Sequence, residues 1–396
     1  MLLPVLGVIG MGICGLAVFG FVFVEVGPVG VLVGALAALL PVGLVVGAFL
    51  WIDRWEPEPP SLLLAAFAWG ACVATLSSLL INSTARLAGE AILGQNSGDR
   101  LAAMVSAPLA EEAMKGALLF GLLWLRRREI DGVIDGIVYA GLVAAGFAFT
   151  ENILYFGRAF EAGGLASERG GVLIVFVLRG LLSPFAHPLF TAMTGIGVGL
   201  AVASHNATVR VLAPIGGYLG AVVLHGLWNG SASIGGGLGF LIVYGLVMVP
   251  LFIGMIVLVI WQRRREQRVM AAALPGFAAA GWIMPSEASL LASLAGRRGW
   301  RAAVRRRSGP EAARAIAQYQ ALVTQLAFLQ ARMGRGGVGP IGHQWQHELL
   351  AALVAARAKA VATPDALVAA WRQPPPPGWQ PPPPAGPPPA WQRDRR

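Results

Sequence analysis

The chain predicts an all-α, polytopic membrane helix bundle of about eight transmembrane helices, followed by a small, partly disordered cytoplasmic C-terminal region. Three observations lead there. Of 396 residues, 56% are hydrophobic and only 13% charged, against about 25% charged in soluble globular proteins. The mean hydropathy is +0.67. The charges are also segregated: long apolar runs with short polar loops fill residues 1–261, whereas the rest is rich in Arg, Ala and Pro.

A spanning helix needs about 20 mostly apolar residues. Runs of that kind lie near 4–24, 28–51, 61–82, 101–124, 132–157, 172–203, 211–229 and 237–261. The first follows Met1-Leu2-Leu3-Pro4 without a basic stretch, so it reads as a transmembrane helix rather than a cleaved signal. The sixth is longer than one crossing needs and carries Ser183-Pro184 in its middle. Proline removes a backbone donor and clashes with the preceding turn, which predicts a kink or two half-helices. Cys14 and Cys72 both sit in apolar runs and form no C-x-x-C pair, which argues against a disulfide framework or a thiolate zinc site.

Three regions follow from composition: a transmembrane domain at 1–261, a cytoplasmic helical region at 262–372, and a Pro-rich disordered tail at 373–396. Within the second, 310–333 and 343–371 alternate apolar and polar residues at helical spacing. The proline runs between 374 and 390 favour extended polyproline, a candidate docking segment for a partner. Arg126, Arg127 and Arg128 follow the fourth run, and Arg263, Arg264, Arg265 and Arg268 follow the eighth. Basic loops stay cytoplasmic, so both termini are expected there, in a cell membrane. Arg54 and Arg210 agree with that orientation; Arg86, Arg100, Arg158 and Arg169 oppose it. The net charge of +10 thus describes loops and tail, and no nucleic-acid partner is expected.

Several residues sit where hydrocarbon should exclude them. The fourth run carries Glu111, Glu112 and Lys115 near its middle. Each ionised group at that depth costs at least about 2.5–3.5 kcal/mol. Glu111 and Lys115, four apart, can pair on a helix, but one lysine cannot neutralise both glutamates. The fifth run adds Glu151 and Asn152, the sixth Arg179 and His187, and the seventh His225 and Asn229 on one helical face. Counting from the helix ends puts most of these in the outer half of the bilayer, with Glu111 nearest the midplane. A lone intramembrane His or Asn is usually an interhelical hydrogen bond, and Arg179 reads as a salt bridge or a snorkelling side chain. The set as a whole implies convergence on a hydrated cavity.

A carboxylate can activate water, while imidazoles can hold a metal or stabilise an oxyanion. A zinc site could use His187, His225 and a carboxylate, with a position open for water. No H-E-x-x-H helix and no G-x-S-x-G elbow is present. His343, His347 and Glu348 read as surface residues of an amphipathic helix, and Asp131 and Asp135 as helix-start acids.

The order Glu111-Glu112-Ala-Met-Lys115, Phe147-x-x-x-Glu151-Asn152, His187, then His225-x-x-x-Asn229 resembles the PrsW family of intramembrane proteases, relatives of CAAX prenyl endopeptidases and bacteriocin-processing proteins. The loop Asp53-Arg-Trp-Glu56-Pro57-Glu58-Pro59 is similar to that family's acidic, proline-containing loop. The likeness covers roughly residues 40–235. It implies a peptidase in which Glu111 activates water, Glu112 is its partner or a ligand, and Lys115 tunes both. Glu151 would complete the polar cage; His187 and His225 would bind metal or the oxyanion; Asn229 would orient a ligand or the substrate carbonyl. The metal set it suggests is His187, His225 and Glu151, holding zinc, although a metal-free glutamate–histidine mechanism also fits. The implied substrate is a membrane-anchored protein, such as an anti-sigma factor, cut on the outer side. Two rivals stand beside this reading. A proton-coupled secondary transporter would use the same groups as a relay, but no repeated half or matched pair of broken helices appears. A non-enzymatic scaffold would act through the proline tail.

Overall fold

The computed structural model describes residues 2–94, 98, 102–125, 129–166, 171–233, 236–334, 338 and 341–361. The arginines at 126–128, Arg100, Arg169 and the proline-rich tail lie outside the described residues. Among the described residues every regular element is a helix. By contact the chain forms two units: Met1–Met270 with Ala327–Gln346, and Ala271–Leu326 with the described residues from His347 onward.

The larger unit is the membrane bundle, and its helices are all-α as the apolar runs predict. Six of them are long and apolar enough to cross a membrane. The eight expected runs map onto them once two features are counted. Helix α1 (Leu2–Ile52) holds two runs and breaks at Gly27, whose φ of 63° favours glycine and whose neighbour Pro28 cannot donate to the preceding turn. Helix α4 (Ala107–Leu125) carries the three charges Glu111, Glu112 and Lys115, which keep it out of the six.

Helix α2 (Pro60–Ala68) passes through a π-helical turn, Trp69–Ala74, into α3 (Thr75–Leu93). Another π-helical stretch, Ala102–Ser106, leads into α4. Helix α5 (Val133–Gly163) is the axis of the bundle; 94% of its most apolar stretch is buried. Its first turn is capped by Asp135, whose carboxylate accepts the backbone N–H groups of Asp131 and Gly132 at 2.7 and 2.9 Å. Both acids therefore start the helix, as their position suggests. Asp131 also pairs with Arg332 at 2.7 Å.

The sixth run is broken as the Ser183-Pro184 pair predicts. A short α6 (Val172–Val175) becomes π-helical over Phe176–Leu182, and α7 (Ala186–Ala203) begins after the break. Helices α8 (Ala207–Ser233), α9 (Gly236–Val243) and α10 (Val249–Ala279, in this unit as far as Met270) complete the larger unit's elements. Interhelical attraction in lipid comes from close approach of small residues. Helices α5 and α7 meet at Gly136 and Gly195, where a Cβ on either would lie 2.1 Å from the other's carbonyl oxygen. Cys14 and Cys72 are free thiols.

The smaller unit contains α11 (Pro285–Leu291), much of α12 (Leu294–Gly334) and most of α13 (Ile341–Val361). Its core has Trp300 against Tyr319 at a ring separation of 6.1 Å. Glu287 is fully buried and accepts from Met284 N, Tyr319 Oη and Arg357 Nη2 at 2.8, 2.7 and 3.4 Å. His343 and His347, with Glu348, are exposed.

Candidate active site

Helix α4 supplies the centre of the site because its polar face turns inward against α3, α7 and α8. Glu112 and Lys115 are completely buried and Glu111 nearly so. Lys115 Nζ lies 2.9 Å from Glu112 Oε1 and 3.5 Å from Glu111 Oε2. The neighbour three residues back is thus the closer partner, because Glu112 is fixed from elsewhere. Thr191 Oγ1 donates to Glu112 Oε2 at 2.7 Å, and His225 Nδ1 meets Glu112 Oε1 at 2.9 Å. The ammonium of Lys115 also lies 3.9 Å above the Phe147 ring, a cation–π contact that helps hold a charge away from water.

The second half of the site comes from α5 and the broken run before α7. Glu151 Oε2 accepts His187 Nε2 at 2.8 Å and Arg179 Nη2 at 2.5 Å. Arg179 Nε donates to Asn152 Oδ1 at 2.9 Å. His187 Nδ1 faces Lys115 Nζ at 3.2 Å, joining the two halves. The two imidazoles lie edge to face, 5.0 Å between ring centres. Asn229 shares the cavity wall and donates to the Ala103 carbonyl at 2.9 Å. The cavity holds about 420 Å³, and Glu111, Glu151, His187, His225, Asn229 and Arg179 line it.

All seven residues singled out from the sequence therefore belong to one constellation. Three more complete it. Asn82 donates to Glu111 Oε1 at 3.4 Å, Thr191 supports Glu112, and Arg179 clamps Glu151. Thr191 stands four residues after His187, a spacing that marks the same helical face. Asn82 offers no comparable signal, since the polar stretch around it looks like a helix approaching a loop.

Comparison with known proteins settles the family. Residues 58–255 match the PrsW family of intramembrane metalloproteases. The chain belongs to that family. A protease PrsW of Geobacillus kaustophilus is 32% identical over 149 residues, covering 38% of this chain and 58% of the relative. One from Clostridioides difficile is 27% identical over 197 residues, 49% of this chain and 76% of the relative. The chain thus spans less than two thirds of the Geobacillus protein's length. No solved structure matches.

The family's description raises a metal, and the donors of this PrsW-family chain can be tested for one. Glu111, His187 and His225 each offer a ligand atom, all within 4.8 Å of one another. Because Glu112 accepts only, His225 Nδ1 carries a hydrogen toward it, and Nε2 is the ring atom left to face Glu111 and, in the neutral ring, to offer a lone pair. That Nε2 lies 3.7 Å from Glu111 Oε2, a buried oxygen with no hydrogen-bond partner. Two ligand atoms at that spacing, one backed by a carboxylate, suit neighbouring ligands of a single ion. His187 Nδ1 could join them if Lys115 shifts fully onto the glutamates it already contacts. Glu151 lies outside this group of three, engaged by Arg179 and His187. The residues fit a divalent metal.

Proposed function

We propose that this chain is an intramembrane endopeptidase that hydrolyses a peptide bond of a membrane-anchored protein. The observation that carries the reading is Glu111 Oε2, a buried oxygen without a hydrogen bond, 3.7 Å from His225 Nε2 in a cavity lined by Glu151, His187 and Asn229. Multi-pass insertion in the cell membrane with both termini cytoplasmic is the orientation the basic segments favour.

Glu111 is the general base. It takes a proton from water as oxygen adds to the scissile carbonyl carbon, and returns it to the amine when the C–N bond breaks. Glu112 is held by Lys115, Thr191 and His225, so it orients His225 rather than exchanging protons. Lys115 keeps positive charge beside the developing oxyanion, in a site that excludes bulk water. Asn229 positions the substrate backbone from the cavity wall. In the metal version Glu111 would be a ligand in place of the base: Glu111, His187 and His225 would hold the metal, zinc by donor type, and the metal would supply carbonyl polarisation and a more acidic water.

The test is cleavage of a co-expressed single-span reporter. Glu111→Gln should abolish cleavage while the protein still inserts and folds; normal cleavage by that variant removes Glu111 from the mechanism. Detergent-purified protein should carry one zinc per chain, lost in His225→Ala, and chelation should stop cleavage. Full activity in chelator with no bound metal excludes the metal version and leaves the glutamate–histidine one.

A further inference from the structure

We propose that Arg179 is a positioning residue whose planar guanidinium fixes Glu151, and through it the orientation of the His187 ring. Its effect on cleavage rests on the peptidase reading; its effect on His187 does not.

A simple counter-ion would account for one ion pair, and the geometry shows more. The guanidinium makes two directed contacts, Nη2 to Glu151 Oε2 and Nε to Asn152 Oδ1, and its central carbon lies 4.0 Å from the centre of the Tyr155 ring. All three partners belong to α5, at positions 151, 152 and 155. A planar fork can satisfy two acceptors and stack at once, whereas an ammonium is a point charge that cannot. Arg179 itself rides on the π-helical stretch Phe176–Leu182, just before the Ser183-Pro184 break. Such stretches are often found at functional sites.

Glu151 Oε2 is the oxygen shared by Arg179 and His187. A carboxylate only accepts, so His187 Nε2 carries the hydrogen and Nδ1 presents its lone pair toward Lys115. Nδ1 is then the ring atom left to face the cavity's centre. Without the clamp, the Glu151 carboxylate can rotate about its terminal torsion and release Nε2, and the ring, held then through Nδ1 by Lys115, loses its fixed orientation. Outer-shell partners of this kind are conventionally worth a large factor: their removal costs roughly 10- to 100-fold in metal affinity or activity.

The decisive pair of variants is Arg179→Lys and Arg179→Met, examined as the metal-free, detergent-purified full chain by ¹⁵N NMR of histidine. The His187 signal is assigned by its loss in His187→Gln. The unaltered protein should show one sharp set of His187 signals with the hydrogen on Nε2, and both variants an Nε2 signal shifted and broadened as Glu151 releases it. In reporter cleavage both should lose roughly 10- to 100-fold in kcat with little change in KM. Arg179→Lys retains the charge, so it keeps the test alive should Arg179→Met fail to fold. Unaltered His187 signals in Arg179→Lys overturn the proposal and reduce Arg179 to a counter-ion. Altered signals in a chain whose unsubstituted form never cleaves refute the peptidase reading and leave the positioning role standing.

Discussion

Glu287 and Glu111 are both glutamates removed from water, one in the smaller helical unit and one in the membrane bundle. Their surroundings differ in a single respect. Glu287 is closed by a backbone N–H, a tyrosine hydroxyl and an arginine. Glu111 has a long contact from Asn82 and a lysine shared with its neighbour, and one oxygen remains without a hydrogen bond beside a cavity. Burying a carboxylate without closing its hydrogen bonds is expensive, so an open one is retained only where something else repays it. Glu111 combines that open oxygen with a place in the wall of the cavity that His187 and His225 also line.

The largest effect expected from that contrast is on catalysis. Glu111→Gln should lower reporter cleavage by roughly 10²- to 10⁴-fold, with thermal unfolding unchanged. Glu287→Gln should do the reverse, leaving cleavage intact while destabilising the smaller unit by about 1–3 kcal/mol. Hydrogen exchange of α11 and α12 measures the second effect. If Glu111→Gln instead lowers stability and spares cleavage, the distinction between the two acids is lost.

The smallest effect concerns a third kind of buried acid, on the loop outside the spans. Asp53 accepts Glu58 N at 3.0 Å through Oδ2, while Oδ1 is buried with no hydrogen-bond partner. Burial pushes the Asp53 carboxyl up to about 7, the backbone hydrogen bond working against it. Burial likewise raises Glu58 to about 8, opposed by the Tyr139 hydroxyl bonded at 2.7 Å. Both then hold protons in the folded protein at pH values where the unfolded chain has released them. Their contribution is complete below pH 4 and is lost as pH rises toward 8. Asp53→Asn should flatten that slope. Denaturation of the two proteins at pH 5 and pH 8 measures it, and a loss of stability toward acid would contradict the assignment.

Much of the site was legible because hydrocarbon makes charge conspicuous. Glu111, Glu112, Lys115, Glu151, His187, His225 and Asn229 stand out in apolar runs, and their cost alone argues for convergence. Partner choice was not legible. Helical spacing allows Lys115 to reach either glutamate, and Thr191 and His225, which belong to other helices, select Glu112 by fixing its carboxylate. Arg179 was visible only as a salt bridge because its second acceptor and its aromatic platform come from α5. Asn82 was hidden for the same reason: a neutral amide in a polar stretch costs little to place, so nothing local betrays its partner.

By itself the sequence determined the solvent and the class of structure. Apolar length dictates spanning helices, because backbone groups in lipid must be satisfied within the helix, and Ser183-Pro184 marks a weak point, although Pro41 and Pro214 stay inside unbroken helices. Only the tertiary structure decided which oxygens and nitrogens are closed and which stay open. Hydrogen bonds between side chains on different helices depend on contacts between residues far apart in the chain, and helical periodicity says nothing about those.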